Sequence, residues 1–441
     1  MSRHGIAFAE QLELPLGDWG DEAMTGTSGE DAPVEGSDLM ERVLEAANLR
    51  RALGQVRRNG GAPGIDGMTV EDLADYLRKE WPSIRASLLA GTYKPQAVRR
   101  VEIPKGGGGT RNLGVPVVLD RFIGQALLQV LQAEWDPTFS EHSYGFRPGR
   151  SAHQAVSQAQ THIRSGYTWV VDLDLEKFFD LSRVRKRVRD RRVLRLIHRF
   201  LTAGVLSLRG ALEPTVEGTP QGAPLSPLLA NLLLDNFDKE LEKRGHRFIR
   251  CADDANIYVR SQQAGERVMA SVTRFLEGRL KLKVNETKST VDRPWNRNFL
   301  GFTFTRGRNP RRKVSKKAIL AFKAKVRVLT RRTRGRTVAR IVHELRIYIL
   351  GWRGYYGFAE VSSPLRDLDK WIRRRLRCYH WKQWGRRGYR ELRARGVSRK
   401  LAWNTAKSAH GPWRLSHSPA LSFALPARHF RALGLPCLIE R

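Results

Sequence analysis

The chain is 441 residues long, enough for two or three packed domains, and carries 79 Lys and Arg against 44 Asp and Glu, a net charge of +35 at pH 7. A field of that sign calls for a polyanionic partner: nucleic acid, an anionic membrane surface, a ribosome or a heparin-like polymer. No apolar run approaches the roughly 20 residues that cross a bilayer, and three scattered cysteines, Cys251, Cys378 and Cys437, exclude a disulfide framework or a paired-cysteine zinc site.

Residues 1–38 hold nine acidic residues and one basic, Arg3, among many Gly, Ser and Thr, so this stretch is expected to lack fixed structure. It has no basic start followed by an apolar stretch, and the expected location is the cytoplasm. RRVEIPKGGGGTRNLGVP (99–116) reads as two strand-like runs around a glycine turn, with Lys105 and Arg111 set across it as a clamp for phosphate oxygens. By itself it is equally a surface hairpin. YTWVVDLDL (167–175) reads as a strand that places Asp172 and Asp174 on one face, and a carboxylate on so apolar a strand asks for a cation or donor.

GTPQGAPLSPLLAN (218–231) is a Gly and Pro loop that offers backbone N–H groups and the Gln221 amide to a nucleotide, and it opens a helix over 227–245 stopped by Gly245. HRFIR (246–250) and ANIYV (255–259) read as strands joined by a tight turn that holds Asp253 and Asp254. Paired acids in a turn are usually solvated turn formers. Two apolar flanking strands point instead to a hairpin that could set Asp253 beside Asp174, where three carboxylates would repel unless divalent cations neutralised them.

From Asn309 onward there are 34 Lys and Arg against six Asp and Glu, a net +28, so a boundary near 305–315 separates the body from a basic tail. Apolar residues recur there at helical spacing: Ile319, Phe322, Val326 and Leu329, then Val338, Ile341, Leu345 and Tyr348. A third helix begins at Ser363-Pro364, with Leu365, Leu368, Ile372 and Tyr379 on one face and Arg373, Arg374 and Arg375 turned mostly away. Six tryptophans of the tail suit either stacking on unpaired bases or core packing. The whole reads as an α+β body with a C-terminal all-α segment.

Taken in order, GAPGIDG, VEIPKGGGGTRNLGVP, SYGFRPGRSAH, VVDLDLEKFFD, GTPQGAPLSPLLAN, CADD, LKVNETKS and FLGF resemble the reverse transcriptase motifs of group II intron proteins. LRIYILGWRGYYGF with WIRRRLRCYHWKQW is similar to that family's maturase segment. The resemblance implies a right-hand polymerase: an acidic N-terminal segment to 38, fingers and palm over 39–305, a helical thumb or maturase segment over 306–390, and a basic extension over 391–441.

It also implies that Asp174, Asp253 and Asp254 are catalytic and, with the Leu175 carbonyl, hold Mg²⁺ ions. Lys105, Arg111, Phe179 and Gln221 would hold the incoming nucleotide, with Phe179 against a ribose 2′-OH, and Lys288 would contact a phosphate. Arg373, Arg374, Arg375, Arg377 and Lys382 would bind RNA. The implied partners are structured intron RNA, an RNA template with a DNA primer, dNTPs and a target DNA, without a membrane, in an intron ribonucleoprotein.

Three departures from the pattern stand out: Cys251 where Tyr is usual, Ala223 where Gly is usual, and a short segment after Asp180. Two other readings stay open, a splicing-only maturase with a decayed polymerase site and a retron-type or defence-type reverse transcriptase. Without cysteine pairs, no HNH endonuclease is assigned.

Overall fold

A computed structural model describes residues 38–104, 110–175, 182–206, 212–213 and 222–439. Among the described residues ten strands run in chain order: β1 (Val98–Pro104), β2 (Thr110–Val115), β3 (Trp169–Asp174), β4 (Val205–Leu206), β5 (Leu212–Glu213), β6 (Arg247–Cys251), β7 (Asp254–Val259), β8 (Thr290–Asp292), β9 (Phe302–Phe304) and β10 (Arg312–Val314). They form three sheets, ordered β2-β1-β4-β5, β6-β7-β3-β8 and β10-β9. Among the described residues no helix is long and apolar enough to cross a membrane.

The chain divides into two compact units. The first runs through Ala155, then Val171–Val259 and Gln263–Val291; the second holds Val156–Val170, Arg260–Gln262 and Asp292–Arg441. By compactness the first unit ends at Val291, so β9 and β10, which fall before the expected boundary at 305, pack with the helical segment. The physical reason is Phe302, whose ring packs at 5.4–6.2 Å from Tyr355, Tyr356 and Phe358. The glycine of FLGF, Gly301, has φ +83, and a Cβ there would meet the Tyr356 hydroxyl at 2.6 Å.

In the first unit, helix Ala46–Asn59 lies against helix Val118–Trp135 through Leu49, Leu53, Phe122 and Leu127, all buried. Asp190 caps helix Arg191–Thr202 by accepting from Arg192 N (2.8 Å) and Val193 N (3.4 Å). The strand β3 alternates as its sequence demands: Val171 and Leu173 are buried, while Asp172 and Asp174 lie half-exposed on the opposite face. Its apolar face shares a core with Leu233, Phe237 and Leu241 of helix Ser226–Lys243, and with Val272 and Leu276 of helix Gln262–Arg279.

The predicted tail helices are present as Lys316–Leu329, Val338–Tyr356 and Ser363–Trp384. One apolar cluster runs from Val314 to Leu438, across the expected boundary at 390/391, and includes Phe322, Leu345, Ile372, Leu392, Leu421 and Phe430. Residues past 390 fold back over the third helix and cover arginines that its own periodicity leaves on the outside.

Arg374 lies 4.1 Å from the Trp413 ring, Arg375 Nε donates to Thr330 Oγ1 (2.5 Å), and Arg377 Nε donates to the Leu425 carbonyl (3.0 Å). Arg373, Arg374 and Arg375, expected to turn mostly away, are all half-exposed, but Arg374 and Arg375 also engage Trp413 and Thr330; Lys382 is exposed. Of the tail tryptophans, Trp384 is core, Trp352, Trp371 and Trp381 pack against it, and Trp403 and Trp413 are exposed.

Two outcomes follow. Phe430→Ala is expected to destabilise the helical unit by about 3–5 kcal/mol in urea denaturation, because the ring is fully buried; a loss below ~1 kcal/mol would make the last 50 residues an appendage. The second concerns Asp120 of the first unit, which burial pushes up to about 6 although Tyr93 Oη and Gln96 N donate to it. A raised carboxyl favours the folded state fully below its unfolded value of 3.8, and that gain is lost as pH rises through 6. The parent should lose roughly 2 kcal/mol more than Asp120→Asn between pH 4 and pH 7 in the same denaturation series. Equal slopes would place that titration elsewhere.

Candidate active site

The strands β6 and β7 pair antiparallel with Cys251 opposite Asp254, leaving Ala252 and Asp253 as a two-residue turn. Ala252 sits at φ +59, a left-handed conformation that is unfavourable for alanine and has to be imposed by its surroundings. Gly145 of the SYGFRPGRSAH segment imposes it. A Cβ there would lie 2.2 Å from Ala252 N and 2.9 Å from the Cys251 carbonyl carbon, so only glycine allows the approach. The same segment hydrogen-bonds along β6, Tyr144 N to Arg250 O at 2.8 Å and Arg250 N to His142 O at 2.9 Å.

Beneath the turn lies Arg250, fully buried. Its guanidinium donates to both oxygens of Asp238 (Nε 2.8 Å, Nη2 2.6 Å), to Asn231 Oδ1 (2.9 Å), to Ser143 Oγ (2.8 Å) and to the Ala252 carbonyl (3.0 Å). The amide of Asn231 donates in turn to the Gly145 carbonyl at 2.8 Å. Every N–H of the guanidinium has an acceptor, as a buried cation requires. One side chain thus joins the turn, the helix after the PQGAP loop and the SYGF segment. Sequence reading missed Arg250, Asp238 and Asn231; the available signal was a charge inside the apolar run FIRC facing acids spaced along an apolar helix.

Next to the hairpin, β7 lies beside β3. With its nitrogen turned toward acceptors, the Asn256 amide donates to Asp172 Oδ1 at 2.9 Å; Asp254 stands two residues before Asn256 in β7, and Asp174 two residues after Asp172 in β3. The segment LKVNETKS finishes the site. Leu175 bridges Val284, Asn285 N donates to the Asp174 carbonyl (3.0 Å), and Asp174 N donates to Ser289 Oγ (3.1 Å). Asn285 Oδ1 accepts from Thr287 Oγ1 (2.7 Å) and Lys288 N (3.2 Å), a turn that aims Lys288 Nζ at Asp174 Oδ2, 2.5 Å away.

Of the residues singled out by sequence, Asp174 and Leu175 meet the segment that carries Lys288, while Asp253 and Asp254 stand on the hairpin whose strand β7 neighbours β3. Arg111 lies in β2 opposite Ile103. Lys105, Phe179, Asp180 and Gln221 lie outside the described residues. Gly222 has φ +132, and a Cβ on it would meet the Gly114 carbonyl at 2.4 Å, which sets Gly222 against β2. Cys251 is half-buried, and its thiol is pushed up to about 11 by burial and by the nearby Asp254 charge, so it is no nucleophile at neutral pH.

Hard carboxylate oxygens and a backbone carbonyl such as that of Leu175 are the donor chemistry that suits a divalent ion such as Mg²⁺. Among the described residues, however, no three Asp, Glu, His or Cys side chains converge closely enough to hold an ion, and a lysine ammonium already meets Asp174. The donors fit by chemistry and by strand placement; a cation would have to displace Lys288 from Asp174.

Residues 103–304 match the family model of reverse transcriptase (RNA-dependent DNA polymerase), and residues 319–397 match the group II intron, maturase-specific domain. The chain belongs to the group II intron reverse transcriptase and maturase family. Protein YkfC of Escherichia coli K12 is 32% identical over 296 residues, which cover 57% of this chain and 76% of YkfC. The group II intron-encoded protein LtrA of Lactococcus lactis subsp. cremoris is 36% identical over 179 residues, 38% of this chain but 30% of LtrA. The chain thus spans three-tenths of LtrA, and what LtrA does as a whole is not carried over. Reverse transcriptases of this kind use divalent metal ions and nucleic-acid templates.

Truncating Arg250 to Ala leaves Asp238 buried and unpaired, and should destabilise the first unit by about 3–5 kcal/mol. Ser143→Ala, which removes one acceptor, should cost about 1 kcal/mol. Denaturant titration checks both; similar small losses would mean that the pair is not a keystone of the hairpin.

Proposed function

We propose that this protein is an RNA-directed DNA polymerase using two Mg²⁺ ions, and a maturase that binds its own intron RNA to promote splicing and mobility. The observation that carries the reading is the placement of the Asp253–Asp254 turn, held rigidly by Arg250 and Gly145, beside the Asp172–Asp174 face of β3. It lies in a chain that matches both domains of the family.

In this reading Asp174, Asp253, Asp254 and the Leu175 carbonyl hold the ions. Bound ions supply charge neutralisation for in-line phosphoryl transfer at the primer 3′-oxygen. Lys105, Arg111 and Gln221 bind the triphosphate and base of the dNTP, and Phe179 excludes a ribose 2′-OH. Lys288 keeps the Asp174 carboxylate oriented in the free protein and then offers its charge to a phosphate. The basic helical unit binds structured RNA; Arg373 and Lys382 are its free-standing candidates on the third helix, whereas Arg374, Arg375 and Arg377 support the surface. Target DNA and residence in a cytoplasmic intron ribonucleoprotein belong to the same proposal.

The Lys288–Asp174 pair also favours a second reading, a splicing maturase whose polymerase site has closed. Primer extension on an RNA template separates them. Under the first, the parent extends, while Asp174→Asn and Asp253→Asn each lower the rate by at least about a thousandfold, bind Mn²⁺ more weakly, and keep intron-RNA affinity within about twofold. Extension retained in either variant would sink the site; no extension by the parent, with splicing intact, would favour the second reading.

A further inference from the structure

The SYGFRPGRSAH segment carries a side chain that its packing does not use. Phe146 follows Gly145, the residue pressed against the Asp253 turn, yet it is 64% exposed. Its backbone stands at φ +56, a left-handed conformation that a bulky residue rarely adopts and that glycine would take without strain. The surroundings enforce it from both sides. Gly145 is pinned through its carbonyl by Asn231, and the Phe146 carbonyl accepts from Gln132 Nε2 at 3.3 Å. Arg147, itself buried, donates to the carbonyls of Ser140 (2.5 Å), Ser143 (3.1 Å) and Asp136 (2.8 Å) and to the Asp136 carboxylate (2.9 Å).

A rigid, strained backbone that holds a wetted aromatic ring gains nothing for folding, since the ring is not buried and the conformation is unfavourable. Such strain is retained where the surroundings over-determine it for a purpose. The ring leaves the main chain one residue from the glycine that contacts Ala252, so its reach covers the space in front of the Asp253 turn. An apolar flat face beside a carboxylate-bearing turn, in a chain of net charge +35, suits the π-face of a nucleobase.

We infer that Phe146 is a substrate-contacting residue: its ring stacks on a nucleotide of the primer–template beside the Asp253 turn and fixes the reacting end of the duplex there. This rests on the polymerase reading above, and names a nucleic-acid contact within that site. Glycine would relax the backbone and lose the contact; tyrosine would keep the contact.

The test titrates the full chain with an RNA template and DNA primer carrying 2-aminopurine, at the primer terminus in one arm and at the template base opposite it in another. Stacking should alter 2-aminopurine emission with the parent and Phe146→Tyr, in the arm whose base meets the ring. With Phe146→Ala and Phe146→Gly that signal should vanish, duplex affinity should fall about tenfold, and the KM for primer–template should rise by a similar factor while the KM for dNTP stays put. The thermal midpoint of Phe146→Gly should equal or exceed the parent's, which separates lost recognition from lost folding. Unchanged emission and affinity in the Ala and Gly variants would overturn the inference. A parent that extends no primer would end the polymerase reading, and the binding arms would still decide Phe146.

Discussion

The buried guanidinium of Arg250 is the interaction on which the rest of the site depends. A cation removed from water this completely has to satisfy all its donors, and here the acceptors come from Asp238 and Asn231 on one helix, Ser143 on a loop and Ala252 in the turn. Three segments distant in sequence are thereby held to one geometry, since moving any of them strands a charge. The turn that carries Asp253 inherits this rigidity, and so does the Gly145–Phe146 step packed against it. A turn held only by its own two strands would be free to let its acids drift into solvent.

Asp174 is positioned by a different device. Its strand ends at the edge where LKVNETKS closes over it, so its main-chain N–H and carbonyl are both fixed from that side. Lys288 then provides the neutralising charge on an exposed side chain. A surface pair of this kind contributes little to stability and is readily exchanged. The buried Arg250–Asp238 pair, which cannot exchange, keeps the scaffold in place.

The charge of the helical unit divides in the same way. Part of it is engaged within the unit: Arg374 on Trp413, Arg375 on the Thr330 hydroxyl, Arg377 on the Leu425 carbonyl and Arg312 on Phe358 at 3.9 Å, each half-exposed. Arginine suits this use because its planar, weakly hydrated head packs on rings while its donors reach carbonyls. Net charge therefore overstates the number of cations free to meet a phosphate.

The sequence by itself determined the elements and much of the chemistry. Alternation in VVDLDL put Asp172 and Asp174 on one face, and the spacing of Phe322, Ile341, Leu345 and Ile372 gave the three tail helices, because strand and helix periods are local properties of the chain. Motif order singled out the acids of the candidate site. Tertiary structure alone decided what those elements meet. It decided that residues past 390 close over Arg374 and Arg377, that Gly145 presses on Ala252, that Arg250 reaches Ser143, and that Lys288 faces Asp174. Each of these is a contact between segments about 40 to 115 positions apart, and periodicity says which side of an element is apolar without saying which distant segment will cover it.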